Sequence, residues 1–350
     1  MSSSSPLAIP TIDISALLDA TAPSAHKNQV ATALLEAFST FGVFYITSPH
    51  HPVFASHKVD HILKASTDLF ALDPHAKNQI PKIEPGGFTR GYVPIGGESG
   101  SATKELKEGF SYGYEWDPAL LTQRQKDASL NNLQGPNSWP QDSALAQLDS
   151  GKTDGFKSTL QEFYLNVCQV AHSLLKGIAL ALDLPEDELV KYCGTSETIS
   201  FMRLFHYLPY ADQAHTSLIG SRLVVNGGDY LSLLTGGKFI SPLHRVVSNG
   251  QEERYSMCCF YYPDYDAKIP LLVKDKVEGQ AASGSYSLLR DQREDSAKDN
   301  NNNNNNQQSS DDSQLSDPRV IAAKLLNGEI NFGDYIVSKW TQVYRKGGAY

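Results

Sequence analysis

The side chains best suited to chemistry in this chain fall between Arg203 and Asp264. That stretch holds three imidazoles, His206, His215 and His244, and a guanidinium, Arg254, two positions before the hydroxyl of Ser256. Neutral imidazole binds transition metals and moves protons. Guanidinium grips a carboxylate through two parallel N–H bonds. Taken singly, none of them is informative. Each histidine reads as an ordinary surface or turn residue, and Arg254, following Glu252 and Glu253, as a solvated arginine. Other reactive types point nowhere. Cys168, Cys193, Cys258 and Cys259 have no CxxC spacing, and the last two are adjacent in an apolar run. They are expected to be reduced core cysteines rather than a disulfide or zinc set. The glycine-rich stretch from Pro85 to Gly100 has neither GxGxxG nor GxxxxGK[ST] spacing, so turns are expected there and not a phosphate cradle.

The order of the pieces changes that reading. RLFHYLP, AHTS, LVVNGGDYLSLLTGGKFISPLHRVV, ERYS and FYYPDYDA follow one another from Arg203 onward. Together they resemble the catalytic half of the isopenicillin N synthase-like oxygenases, the Fe(II)- and 2-oxoglutarate-dependent iron/ascorbate oxidoreductases. IPTIDIS, EAFSTFGVFYI and the region from GGFTRGYVP to EGFSYGYEWD are similar to the N-terminal part, and NGEINFGDYIVSKWTQVYRK to the closing helices. The resemblance covers nearly the whole chain except an asparagine-rich insert. It implies an Fe(II) ion held by two histidines and a carboxylate on one face, with open positions for co-substrate and O2. His215 matches the first histidine and His244 the second. Arg254 of the R-x-S motif matches the residue that grips the 2-oxoglutarate carboxylate, Ser256 adds a hydroxyl donor, and Tyr207 matches a tyrosine that also reaches the co-substrate. Ascorbate is implied as a reductant. The activity implied is hydroxylation, desaturation or cyclisation of a small organic molecule in specialised metabolism or catabolism.

The metal motif departs from the family pattern. It should read H-x-D, and this chain has His215-Thr216-Ser217. A serine hydroxyl is neutral and a weak ligand beside a carboxylate. His215 also precedes His244 by only 29 positions, an interval in which the family places more strands. Roughly 25 to 30 residues, or three to four strands with turns, are absent by ordinary strand lengths. Asp212 lies an odd offset before His215, on the opposite face of an extended strand. Asp229 reads as a turn former. Three accounts follow from the resemblance: a segment lost by deletion or faulty exon joining, a pseudoenzyme kept for binding, or a halogenating relative in which a small residue leaves room for halide. The abrupt seam at Ser217 fits the first best.

The elements that would position these residues change character along the chain. Leu7–Ile14 reads as an edge strand, Ser15 opens a short helix, and Val30, Ala33, Leu34, Ala37 and Phe38 give Ser24–Thr40 a helical period. Val43–Ile46 is a strand, 53–79 a helix broken at Asp73-Pro74, Lys104–Trp116 extended, and 117–150 loop-like. Gly155–Leu184 is the clearest helix, with His172 a helix-surface or satisfied core group in its apolar stripe. Pro185 and its acidic successors suit another helix start. Short strands are expected at Phe201–Tyr207, Arg222–Val225, Tyr230–Leu233, His244–Val247 and Tyr255–Tyr262, a barrel or sandwich signature. The run Asn300–Asn306 marks a disordered insert. Helices follow from Asp317, the second over Tyr335–Tyr344.

The resulting expectation is an α+β fold with an incomplete double-stranded β-helix (jelly roll) core, flanked by N- and C-terminal helices. Its organisation is an N-terminal oxygenase-family domain at 1–125, a helical linker region at 126–198, the catalytic core at 199–290 truncated between 217 and 222, the insert at 291–316 and C-terminal helices at 317–350. Unpaired strand edges in such a core predict poor solubility or weak stability. With 40% hydrophobic and 20% charged residues the composition suits a globular enzyme. A net charge of −9 gives no basic footprint for nucleic acid or anionic membranes. No signal peptide or membrane span is apparent, so a cytoplasmic protein is expected, with a small-molecule substrate and O2 as partners.

Overall fold

The computed structural model describes residues 8–81, 90–97, 106–117, 119, 121, 133–150, 155–195, 197–209, 223–244, 246, 252–273 and 318–347. The architecture is α+β, with two sheets among the described residues. The first contains β1 (Thr11–Asp13), β2 (Val43–Thr47) and β6 (Leu223–Asn226) in the order β1-β2-β6. β1 runs parallel to β2, and β6 antiparallel. The second is an antiparallel ladder of β3 (Gly91–Val93), β4 (Lys107–Gly113), β5 (Phe201–Tyr207) and β7 (Arg254–Phe260), in the order β3-β4-β5-β7.

The helices are α1 (Ser15–Leu18), α2 (Ser24–Thr40), α3 (Ser56–Phe70), α4 (Pro74–Asn78), α5 (Asp142–Asp149), α6 (Phe156–Ala181), α7 (Gly228–Leu234), α8 (Pro318–Leu326) and α9 (Phe332–Gly347). α6 is the spine. Leu160, Phe163, Tyr164, Val170, Leu174 and Ile178 recur at helical spacing and are buried against α2, α3 and the second sheet. Gly177 permits the closest approach: a β-carbon there would lie 2.6 Å from Leu17 and 2.7 Å from Leu34. α4 starts as its sequence dictates, with Asp73 accepting from the His75 amide at 2.8 Å and Pro74 in the first turn.

Strand alternation gives the second sheet two unlike faces. Tyr92, Phe110, Tyr112, Met202 and Leu204 point to the helices and join the main core, with Tyr255, Met257 and Cys259 packed against it. Gly109, Ser111, Arg203, Phe205, Tyr207, Arg254 and Ser256 take the other face by register. A smaller core of Ile199, Phe201, Leu234, Tyr265, Leu325 and Phe332 joins α7, α8 and α9 to one end of this sheet.

Several expectations need correction. Tyr230–Leu233 is helical, not extended. Asp229 occupies the first turn of α7, and the helix closes with Gly236 and Gly237 at positive φ, their amides reaching back to Leu233 and Ser232. A short apolar run between glycines fits either structure by pattern alone. Of the strand expected at His244–Val247, only His244 and Val246 lie among the described residues, and His244 bonds locally to the Pro242 carbonyl. The helix expected after Pro185 is a set of turns ending in a 3-10 turn at Val190–Tyr192. The 117–150 stretch contains the short helix α5. The four cysteines are free thiols. His215, Ser217, Asp212 and the insert at 291–316 lie outside the described residues. Among the described residues, no helix is long and apolar enough to cross a membrane.

Candidate functional site

The functional face is built where β5 ends and β7 begins. Antiparallel register sets Tyr207 opposite Arg254 and Phe205 opposite Ser256. All four side chains share one face because the offsets along each strand are even. The Arg254 guanidinium carbon lies over the Tyr207 ring, 5.0 Å from its centroid. Its Nη1 is buried and has no hydrogen-bond partner among the described residues. Leaving one buried donor unsatisfied costs about 1–3 kcal/mol. A carboxylate from a bound molecule would relieve it. The structure thus brings Tyr207, Arg254 and Ser256 together, and the donor set fits an acidic co-substrate.

The opposite face of the same strands carries a buried polar cluster that sequence reasoning did not find. Glu108 on β4 accepts from Lys77 Nζ at 2.8 Å and is 2.8 Å from His206 Nδ1. The Tyr92 hydroxyl donates to the same carboxylate. Burial pushes the Glu108 carboxyl upward, but these bonds outweigh it and hold it below the usual carboxylate range. His206, which reads in sequence as a surface or turn histidine, is 6% exposed and stacks on Tyr255, centroids 4.6 Å apart. The available signal was its parity: it is odd relative to Tyr207, so it faces the helices.

His244 stands apart from these groups. It is exposed, with Nδ1 3.0 Å from the Pro242 carbonyl and 3.2 Å from Asn226 Nδ2. When Nδ1–H donates to the carbonyl, Nε2 presents a lone pair suited to a metal. Among the described residues, no group of three or more His, Cys, Asp or Glu is placed to hold a metal ion. Asp229 is engaged elsewhere, accepting from Ser241 Oγ at 2.6 Å and from Lys339 Nζ at 3.1 Å. With serine at 217, the sequence offers two imidazoles and no third anionic ligand in the motif. The described residues therefore fit a 2-oxoglutarate-like acid, but do not among themselves complete a two-histidine, one-carboxylate iron site. Near His244 the apolar side chains Val224, Leu243 and Val246 are 44%, 70% and 59% exposed.

Known proteins place the chain among oxygenases. The family model described as the non-haem dioxygenase in morphine synthesis N-terminal matches residues 9–142. The model of the 2OG-Fe(II) oxygenase superfamily matches residues 205–263. A 2-oxoglutarate-dependent dioxygenase of Penicillium crustosum is 27% identical over 307 residues, covering 75% of this chain and 86% of that protein. Clavatol oxidase of the same organism is 26% identical over 314 residues, covering 75% and 87%. The crystal structure of a 2OG-Fe(II) oxygenase family protein from Caulobacter crescentus superposes with a TM-score of 0.60 at 21% identity, covering 82% of this chain and 99% of that one, a likeness of fold.

Proposed function

Because the chain belongs to the 2OG-Fe(II) oxygenase superfamily, we propose that it binds 2-oxoglutarate between β5 and β7 and serves the oxidation of a small organic molecule. The carrying observation is the buried, unpartnered Nη1 of Arg254 over the Tyr207 ring. Arg254 takes the co-substrate carboxylate, Ser256 donates from the next row, and Tyr207 walls the guanidinium from water. Desolvation of that pair strengthens its attraction, since charges interact more strongly away from bulk solvent. The cofactors of this family are Fe(II) and 2-oxoglutarate, with ascorbate as reductant, and the iron activates O2 when bound. Here His215 and His244 are the residues offered to it. The outcome is hydroxylation, desaturation or cyclisation.

A second reading has its own observation. Ser217 stands in the sequence where the family motif has its metal-binding aspartate. In this reading the chain is a relic, or a wrongly joined gene product, that keeps the co-substrate seat and lacks turnover. One experiment separates the two. Purified protein is incubated with Fe(II), 2-oxoglutarate and ascorbate, and succinate release and iron affinity are measured. Succinate above the protein-free rate supports the oxygenase. Tight 2-oxoglutarate binding without succinate and with negligible iron affinity supports the relic. No 2-oxoglutarate binding at all rejects both.

A further inference from the structure

We propose that His206 is a positioning residue for Arg254: its imidazolium bridges Glu108 and Glu253, pins the start of β7, and makes the 2-oxoglutarate seat tighter when the ring carries its second proton. The effect on 2-oxoglutarate rests on the function proposed above; the bridge itself does not. Register sets His206 opposite Tyr255, and Tyr207 opposite Arg254 in the next rung. Glu253 directly precedes β7, so a contact from His206 acts on the residue bonded to Arg254. Nδ1 of His206 is 2.8 Å from Glu108 Oε1, and Nε2 is 3.5 Å from Glu253 Oε2. Tyr255 lies flat against the ring, 3° from parallel, and Phe70 of α3 lies 5.5 Å away, centroid to centroid. The Tyr255 hydroxyl donates to the same Glu253 oxygen at 3.1 Å. The titratable groups gathered here are thus Glu108 on β4, Lys77 on α4, Tyr92 on β3, and Glu253 and Tyr255 at β7.

These partners dictate what each ring nitrogen does. Glu108 accepts from Lys77 and Tyr92 and stays ionised despite its burial. An ionised carboxylate only accepts, so Nδ1 carries a proton. A neutral ring then turns the Nε2 lone pair toward the Glu253 carboxylate, acceptor against acceptor. Nε2 is buried and has no hydrogen-bond partner among the described residues. A second proton makes Nε2 a donor and turns the 3.5 Å approach into an ion pair. Burial and the Glu253 bond push the Tyr255 hydroxyl up to about 12, so it donates to Glu253 in both states of the ring. With the proton in place, Glu253 is tied to His206 by charge and Tyr255 by stacking. The residue between them, Arg254, is then fixed over Tyr207 on the opposite face. Without it, the Glu253 side chain, 55% exposed, is left to the Tyr255 hydroxyl and water. A cation held in place binds its anion more tightly than one that must first be ordered. Affinity therefore falls as pH rises and the second proton leaves.

The test is calorimetric titration of the metal-free full chain with 2-oxoglutarate between pH ~6 and ~9, the span in which imidazole changes charge. Alongside it, hydrogen exchange of the Arg254, Tyr255 and Ser256 amides is read on the ligand-free protein and corrected for the intrinsic pH dependence of exchange. The expected result is binding weaker by about threefold or more at the high-pH end, as suits an ion pair with one solvent-exposed partner, with amide protection falling in step. Glu253→Gln alters an exposed side chain and should flatten both profiles, because an amide offers Nε2 a donor or an acceptor as the ring requires. The proposal is overturned if the wild-type affinity changes by less than about threefold, or if Glu253→Gln keeps the wild-type dependence. A wild type that binds no 2-oxoglutarate at any pH rejects the co-substrate reading, and exchange then decides the bridge. Protection that falls with pH in the wild type but not in Glu253→Gln upholds it; any other pattern overturns it.

Discussion

The two halves expected of an oxygenase site are built to different standards in this molecule. At the co-substrate end, β4, β5 and β7 are seven-residue strands in continuous register, and Arg254 is held over Tyr207. At the metal end, β6 has four residues, His244 is exposed, and Leu243 and Val246 show most of their surface to solvent. The pocket survives because its strands pair with one another and with the N-terminal β4. At the metal end the described strand β6 pairs only with β2.

The strongest way to break this contrast is to damage the well-built half. Glu108→Gln should destabilise the protein by about 3–5 kcal/mol in a denaturant titration, because it strands the buried Lys77 charge. A loss under ~1 kcal/mol would show that the cluster is not a buttress. Arg254→Met should weaken 2-oxoglutarate binding by about 2–5 kcal/mol, roughly thirtyfold or more by calorimetry, with the melt unchanged. The metal half can be sharpened rather than broken. Ser217→Asp should raise Fe(II) affinity roughly tenfold, since it supplies the anionic ligand the motif lacks; equal affinities would mean that position 217 is not where the carboxylate belongs.

Acidity should report on the same contrast more gently. The folded-state pKa of Glu108 is depressed, so its contribution to stability is complete above its unfolded value, near 4.3. That contribution is lost as pH falls through the lower folded value. Melting temperature should therefore fall below pH ~4 in the wild type, and fall less in Glu108→Gln. The smallest effect is expected at the exposed patch. Leu243→Ser with Val246→Ser should change stability by no more than about 0.5 kcal/mol per site while reducing self-association in light scattering.

Much of this was legible in the residues. The period of α6, the Asp73-Pro74 break and the extended runs of β5 and β7 follow from spacing alone. Tyr207, Arg254 and Ser256 could be grouped by resemblance, and their common face follows from even offsets once the register is known. Register itself was not readable, and so neither the Lys107–Tyr207–Arg254 row nor the buried Glu108 cluster could be seen. Tyr230–Leu233 misled because a four-residue apolar run carries no period.

Lys107 and Glu108 are neighbours in the chain but face opposite sides of β4. The ladder that fixes β4 against β5 is therefore also a sorting device, assigning an ammonium to one compartment and a carboxylate to the other. A single inserted residue ahead of Gly109 would exchange them. Negative charge would enter the ligand face, and Lys107 would be driven beneath the helices in place of the carboxylate that Lys77 pairs with. Length between Leu106 and Gly109 is thus constrained more tightly than the identity of any one residue there, and a fault at that point would read out at once as lost stability.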